Sequence, residues 1–176
     1  MNLKRVQYRF YGIVQGVGFR PFVYRLAVHH HLTGFVQNSP EGVTVEVEGS
    51  PSVVEAFADH IRRELPPLAN ITNIETAALE IQNDLDFKII SSNTQGQADV
   101  HITPDAATCP ECLTELFDPQ NRRYRYPFIN CTNCGPRLTI INTVPYDRAN
   151  TSMACFDLCP QCRGEYQNPA DRRFHA

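Results

Sequence analysis

The hydrophobic positions in the first half of the chain follow two periods, and these periods predict its elements. Apolar residues occupy every second position from Val6 to Phe10 and again from Val43 to Val47, which is the spacing of strands with one buried face. Between and after them, apolar residues recur three or four positions apart, as on amphipathic helices. The predicted inward stripes are Val23, Leu26, Ala27 and His30 on the first helix, and Val53, Phe57, Ile61 and Leu65 on the second.

The residues at the element ends complete a predicted topology. The second helix begins either at Ser50-Pro51 or at Ser52, with Glu55 three residues later as a capping box. Phe35 and Val36 continue a further strand, and segments 74–81 and 87–90 supply one or two more. The order β-α-β-β-α-β predicts an α+β, ferredoxin-like fold: an antiparallel sheet with both helices on one face.

A glycine-rich turn lies between the first strand and the first helix. Gly16 and Gly18 can adopt positive φ, so that successive backbone N–H groups converge on one point ahead of the helix N-terminus. Arg20 adds a planar fork of donors that can bind two phosphate oxygens. The same residues also fit an ordinary turn before a helix, so the residues alone leave both interpretations open.

The cysteines, absent before residue 109, form three Cys-x-x-Cys pairs. They are Cys109 and Cys112, Cys131 and Cys134, and Cys159 and Cys162. Two such pairs separated by 15–20 residues are typical of a tetrahedral zinc site, and 18 residues separate the first two pairs here. We therefore predict a structural zinc held by the first four cysteines. No βαβ pattern surrounds them, which argues against thioredoxin-like redox chemistry.

The third cysteine pair has no partner pair in this sequence. The same 18-residue spacing after Cys162 would place the next cysteine at position 181, beyond Ala176, so we expect a truncated second zinc module. Cys155 and His175 are the nearby residues that could substitute as ligands. The ordinary interpretations are that Cys155 is a small core residue or a spare thiol, and that His175 is disordered near the terminus.

Composition and charge indicate the general class of protein. The 176 residues carry a net charge of −3, with 42% hydrophobic and 20% charged residues, which fits a folded globular protein. We expect a cytoplasmic protein, because the cysteine count is odd and neither an export signal nor a membrane-spanning stretch is seen. The polar stretch 91–107 predicts a linker between a first domain, 1–90, and a zinc-finger-like region, 108–176.

Arginines and aromatic residues interleave between the first two cysteine pairs. Arg122, Arg123 and Arg125 alternate with Tyr124 and Tyr126. Zinc ribbons with such faces sometimes bind nucleic acid. The net negative charge favours an interdomain or partner surface instead, and we expect no nucleic-acid partner.

Three segments of the first half resemble the acylphosphatase family: Val14 to Arg20, Gly34 to Asn38, and Glu41 to Val43. The resemblance implies that Arg20 binds the phosphate oxygens and that Asn38 positions the attacking water. By residue preference alone, an asparagine ahead of a hairpin is more often a turn former. The implied phosphate cradle consists of the amides of Gln15, Gly16, Val17, Gly18, Phe19 and Arg20.

The two halves together resemble the N-terminal part of the HypF carbamoyltransferase family of hydrogenase maturation proteins. The match includes the three cysteine pairs and the run Cys134-Gly135-Pro136-Arg137. The resemblance implies hydrolysis of carbamoyl phosphate to carbamate and phosphate. It also implies that later domains, absent from this sequence, use ATP and transfer the carbamoyl group to HypE for synthesis of cyanide ligands. A general acylphosphatase and a noncatalytic zinc-bearing interaction module remain the alternatives.

Overall fold

The structure is a computed structural model that describes residues 3–92, 105–135, 137–143 and 148–176. The predicted linker, 91–107, lies mostly outside these ranges, as does Pro136 of the Cys-Gly-Pro-Arg run. The first half consists of β1 (Lys4–Ile13), α1 (Phe19–His29), β2 (Thr33–Ser39), β3 (Gly42–Gly49), α2 (Pro51–Arg63), β4 (Asn70–Leu79) and β5 (Phe87–Ile89).

The five strands form one sheet in the order β4-β1-β3-β2-β5. This arrangement confirms the α+β, ferredoxin-like prediction, with one correction. Strand β5 pairs in parallel with β2, from Gly34 opposite Phe87 to Val36 opposite Ile89, so the sheet is mixed rather than antiparallel. The chain leaves β4 at one edge and joins the opposite edge, where it runs in the direction of β2.

Both helices pack on the same face of the sheet. Tyr8 and Phe10 are two residues apart on β1, so their side chains share a face. The ring of Tyr8 lies 6.5 Å from that of Phe57 on α2, and the ring of Phe10 lies 5.3 Å from that of Phe19 on α1. All four side chains are buried, and Phe19 thereby fixes the first residue of α1 against the core.

Helix α2 begins at Pro51, which confirms the first of the two predicted starts. Ser50 is the N-cap residue and its carbonyl accepts from Val53 and Val54, whereas Ser52 lies inside the first turn. The capping box at Ser52 is therefore wrong. The helix buries Val54 completely and Val53 only partly, because a stripe through Phe57 can begin three residues earlier as well as four.

A buried ion cluster fixes the crossing from β4 to β5. Arg5 and Glu48 are each only 2% exposed, and Arg5 donates to Glu48 at 3.1 Å and to Glu46 at 2.7 Å. Glu48 also accepts from the backbone N–H groups of Gln82 at 2.8 Å and Asn83 at 2.9 Å. One buried carboxylate thus joins β1, β3 and the crossing segment.

The second half has little regular structure. Its elements are α3 (Pro110–Phe117), α4 (Pro160–Gln167) and short 3₁₀ turns at Leu138–Ile140, Arg148–Asn150 and Ser152–Cys155. Among the described residues, its buried hydrophobic cluster consists of Cys112, Ile129, Cys131 and Cys134. This half therefore has a core made largely of cysteines. Among the described residues, no helix has both the length and the apolar character needed to cross a bilayer.

The ion cluster yields a stability prediction. Arg5→Met should lower the free energy of unfolding by about 3 kcal/mol or more, because it leaves Glu48 buried without its cation. Urea unfolding followed by circular dichroism measures the change. Arg9→Met is the matched control, because Arg9 lies on the same face of the strand but is exposed, and it should change stability by no more than about 0.5 kcal/mol. Equal effects of the two substitutions would contradict the role of the cluster.

Candidate active site and zinc knuckles

The turn between β1 and α1 forms a cradle of backbone N–H groups. Gly16 and Gly18 have φ of 72° and 76°, values that L side chains rarely adopt. In the described part of the chain, no backbone carbonyl accepts from the N–H groups of residues 15–19. The Val17 side chain is fully buried in the core, so this residue offers the cradle only its backbone. The arrangement suits an anion at the N-terminus of α1.

The side chain of Gln15 ties the cradle to the β2–β3 hairpin. Its Nε2 donates to the Ser39 carbonyl at 2.6 Å and to the Gly42 carbonyl at 2.7 Å. The sequence predicts a role only for the backbone of Gln15, because the hairpin carbonyls lie 24 and 27 residues away and no local pattern indicates the contact. The contact holds the end of β2 beside the cradle.

Asn38 lies in strand β2, opposite Val43, rather than in the turn. Residues 39–42 make the turn, so the structure does not use Asn38 as a turn former. The residue is 2% exposed, and among the described residues its Oδ1 has no hydrogen-bond partner. A buried acceptor without a partner costs free energy unless a ligand or water donates to it.

A small cavity of about 30 Å³ joins these groups. Arg20 and Asn38 line it together with the cradle, of which Gln15, Gly16, Gly18 and Phe19 reach the wall. The opposite wall comes from the second half of the chain and includes Cys131, Thr132, Gly135 and His175. The structure thus brings Arg20, Asn38 and most of the predicted cradle to one place, and adds a wall that the sequence did not reveal.

The cradle and the second half touch at Gly18. A Cβ atom at Gly18 would lie 2.8 Å from the Cβ of Thr132, closer than such atoms approach in proteins. On the other side of the contact, a Cβ at Gly135 would lie 3.1 Å from Cδ1 of Leu68. Glycine is therefore required at Gly18 both for its positive φ and for this close approach.

Cys109, Cys112, Cys131 and Cys134 form one cluster, with all four Sγ atoms within 4.8 Å of one another. The Sγ atoms lie 3.5 Å apart between Cys109 and Cys131, 3.8 Å between Cys131 and Cys134, and 4.0 Å between Cys112 and Cys134. Zn–S bonds of about 2.3 Å in a tetrahedron give S–S separations of about 3.8 Å. These four residues therefore fit a zinc ion in donor type, number and spacing.

Hydrogen bonds favour the thiolate form of Cys134, the form that binds a metal. The pKa of the Cys134 thiol is lowered to about 4, first by the hydrogen bond from the Cys131 thiol. The backbone N–H of Cys131 also donates to Cys134 Sγ at 3.3 Å. The pKa of Cys109 is raised to about 11, chiefly by burial. A zinc ion would replace the protons of the remaining thiols, because the thiolate is the metal ligand.

The third cysteine pair lies outside the cluster. Cys159 is exposed and Cys162 half-buried, with the N–H of Cys162 donating to Cys159 Sγ at 3.5 Å. Cys155 is exposed, so the interpretation of it as a core residue is wrong. His175 is among the described residues, with its ring stacked on Tyr166 at 4.7 Å, and it lines the cavity. A zinc ligand role for Cys159 and Cys162 stays a prediction.

Each half of the chain matches a known protein family. A family model described as Acylphosphatase matches residues 6–89, and one described as HypF finger matches residues 108–141 and 158–176. The Carbamoyltransferase HypF of Rhodobacter capsulatus is 50% identical over 178 aligned residues, covering all of this chain and 23% of that protein. An Acylphosphatase of Staphylococcus aureus is 32% identical over 89 residues, covering half of this chain and the whole of that protein.

A solved structure gives the same result. Full-length HypF in the phosphate- and nucleotide-bound form superposes with a TM-score of 0.91 at 49% identity, covering 99% of this chain and 23% of that one. The chain therefore spans about a quarter of the length of the HypF proteins it matches. In its first half the chain belongs to the acylphosphatase family, and over its whole length it corresponds to the N-terminal part of the HypF carbamoyltransferases.

Proposed function

We propose that the chain hydrolyses carbamoyl phosphate to carbamate and phosphate in the cavity between the cradle and the four-cysteine cluster with its loop 131–135, called the zinc knuckle below. The observation that carries the proposal is the convergence of Arg20, the cradle N–H groups and the buried Oδ1 of Asn38 on one small cavity. Family membership supports phosphate chemistry on an acyl group, and the carbamoyltransferase relatives favour the carbamoyl group.

Each group has a role in the proposed reaction. The Arg20 guanidinium and the backbone N–H groups of residues 15–20 bind the phosphoryl oxygens, where negative charge must be stabilised throughout the transfer. Asn38 Oδ1 accepts a hydrogen bond from the attacking water and holds it in line with the phosphorus. Carbamate leaves as a carboxylate-like anion of low basicity, so the step needs little help from a general acid.

The proposed step transfers the phosphoryl group from carbamate to water. The water oxygen forms a new bond to phosphorus, while the bond between phosphorus and the bridging oxygen breaks and its electron pair stays on carbamate. One water proton remains on the phosphate product and the other passes to solvent. The step uses no ATP and no metal ligand.

The zinc knuckle has a structural role in this proposal. Zinc bound by Cys109, Cys112, Cys131 and Cys134 would supply much of the folding free energy of the second half, because its aliphatic core is small. It would thereby hold Thr132 and Gly135 against the cradle. The knuckle distinguishes this chain from a free-standing acylphosphatase, whose whole length is matched by the first half alone.

The later steps belong to the proposal as well. We propose that carbamate passes to the remainder of a longer protein, which uses ATP to activate it and transfers the carbamoyl group to HypE. This places the hydrolysis at the first step of cyanide-ligand synthesis for nickel–iron hydrogenase. The solved full-length HypF structure is described as phosphate- and nucleotide-bound, which supports the use of a nucleotide by the longer protein.

Removal of the guanidinium tests the binding role of Arg20. Arg20→Ala should lower kcat/KM for carbamoyl phosphate by a factor of about 10 to 100 or more, because charge-assisted hydrogen bonds contribute about 1.5–3 kcal/mol. Phosphate release is measured without ATP, with spontaneous decomposition of the substrate subtracted. Arg25→Ala, an exposed arginine on the same helix that does not line the cavity, is the control.

The Arg20 assay also separates the alternatives. Release that depends on Arg20 with acetyl phosphate as efficiently as with carbamoyl phosphate would identify a general acylphosphatase. Unchanged release in Arg20→Ala would contradict the proposed site. Phosphate binding without any release would identify a noncatalytic module.

Asn38→Ala tests the water-positioning role separately. It should lower kcat about a hundredfold and leave KM nearly unchanged, because the amide contacts the attacking water rather than the bound phosphate. Steady-state kinetics measure both parameters, with Asn73→Ala on the exposed edge strand β4 as the control. A raised KM with unchanged kcat would instead assign Asn38 to substrate binding.

Metal content tests the cysteine assignment. Native mass spectrometry should find at least one zinc ion per chain, and Cys134→Ser should lose it, because a tetrahedral site then lacks one thiolate. Cys155→Ser is the control and should retain zinc, since Cys155 is exposed and lies outside the cluster. A folded, metal-free wild-type protein would contradict the assignment.

A further inference from the structure

The second half of the chain contains a repeat with an offset of 50 residues. Residues 109–126 and 159–176 share a Cys-Pro-x-Cys start, a glutamate three positions after the second cysteine, a proline and an Arg-Arg pair. The shared positions are Cys109 and Cys159, Pro110 and Pro160, Cys112 and Cys162, Glu115 and Glu165, Pro119 and Pro169, Arg122 and Arg172, and Arg123 and Arg173. We call residues 109–126 and 159–176 the first and second modules.

The two modules have the same local structure. Each begins with an eight-residue helix, α3 or α4, whose first residue is the proline. Each later reaches positive φ, at Arg125 (57°) and at His175 (55°). The N–H of Arg125 donates to the Leu116 carbonyl, and that of His175 to the Tyr166 carbonyl, again 50 residues apart. The repeat is therefore structural as well as sequential.

The arginine pair of each module contacts the second cysteine and the glutamate of the other module. Arg172 Nη1 donates to Cys112 Sγ at 3.2 Å, and Arg122 Nη1 donates to Cys162 Sγ at the same distance. The second nitrogens of these arginines pair with the glutamate of the opposite module, Glu115 or Glu165. The contacts span 60 residues in one direction and 40 in the other.

The second arginine of each pair completes the exchange. Arg173, which is buried, pairs with Glu115 and approaches Cys112 Sγ to 3.8 Å. Arg123 pairs in turn with Glu165 and approaches Cys162 Sγ to 4.0 Å. Each glutamate thus holds two guanidinium groups in position to donate to a cysteine of its own module.

Arg172 also positions the knuckle that faces the cradle. Its carbonyl accepts from the N–H of Thr132 at 2.9 Å and from Thr132 Oγ1 at 3.0 Å. Thr132 lies between the zinc ligands Cys131 and Cys134 and is the residue in contact with Gly18. One residue of the second module therefore contacts both a ligand thiol and the loop that carries two other ligands.

We propose that Arg172 and Arg173 are positioning residues of the first zinc site, so that the second module sets how firmly the first one retains its metal. Zinc with four thiolate ligands carries net negative charge, and N–H donors to the sulfurs stabilise it. Loss of such outer contacts weakens metal binding about 10–100-fold. The inference rests on the proposed zinc site, and the experiment below separates the two.

The test measures zinc release from the 176-residue chain into excess chelator, with a colorimetric zinc indicator. Arg172→Met should speed release about tenfold or more, because it removes the donor to Cys112 and leaves Glu115 with Arg173 alone. Arg172→Lys should also speed release, since an ammonium group cannot bridge Cys112 and Glu115 as a planar fork does. Arg163→Met, at an exposed position on α4, is the matched control and should release zinc at the wild-type rate.

Cobalt substitution distinguishes a weakened site from a lost one. The absorption bands of tetrahedral, thiolate-bound Co²⁺ should persist in Arg172→Lys, with faster release. Loss of the bands in Arg172→Met, with retention in Arg163→Met, would likewise support the proposal. Equal release rates for wild type, Arg172→Met and Arg172→Lys would overturn it. Absence of zinc from the wild-type protein would instead overturn the zinc site itself.

Discussion

The missing side chain of Gly18 allows the two halves of the chain to meet at the phosphate cradle. The same residue adopts positive φ, which lets the N–H groups before α1 converge, and leaves room for Thr132 of the zinc knuckle. A single methyl group at this position would disturb both features, because it would clash with Thr132 and disfavour the backbone conformation. The second wall of the cavity lined by Arg20 and Asn38 includes Thr132, the residue that Gly18 contacts.

The two halves of the chain are stabilised by different kinds of interaction. The first half buries aromatic and branched side chains between a five-stranded sheet and two helices, and Glu48 fixes its last crossing. The second half has too few apolar residues for such a core, and its centre is the cluster of four thiols. The exchange of arginine pairs between the modules adds guanidinium donors to the sulfurs of Cys112 and Cys162. The proposed zinc ion and the second module would together hold this wall of the cavity in place.

The features that the sequence predicted are local. The alternation through Val45 predicted a strand, and the Cys-x-x-Cys spacing predicted the four clustered thiols. The crossing that leads to β5 is held by hydrogen bonds from residues 82–83 to Glu48, more than 30 residues away along the chain, and β5 itself pairs with the distant strand β2. Val54 replaces Val53 in the core by a one-residue change of helix phase. The role of Arg172 is likewise not local, because Cys112 lies 60 residues away, although the 50-residue repeat in the sequence indicates that Arg122 and Arg172 are equivalent.

Phosphate binding between the cradle and the zinc knuckle can be measured without turnover. The ¹⁵N-labelled, zinc-loaded chain is titrated with inorganic phosphate and followed by amide NMR. We expect saturable shifts of the Gly16 and Gly18 amides together with that of Thr132, because all three residues line one cavity. Saturable binding that leaves the cradle amides unshifted, or that shifts them without Thr132, would contradict it.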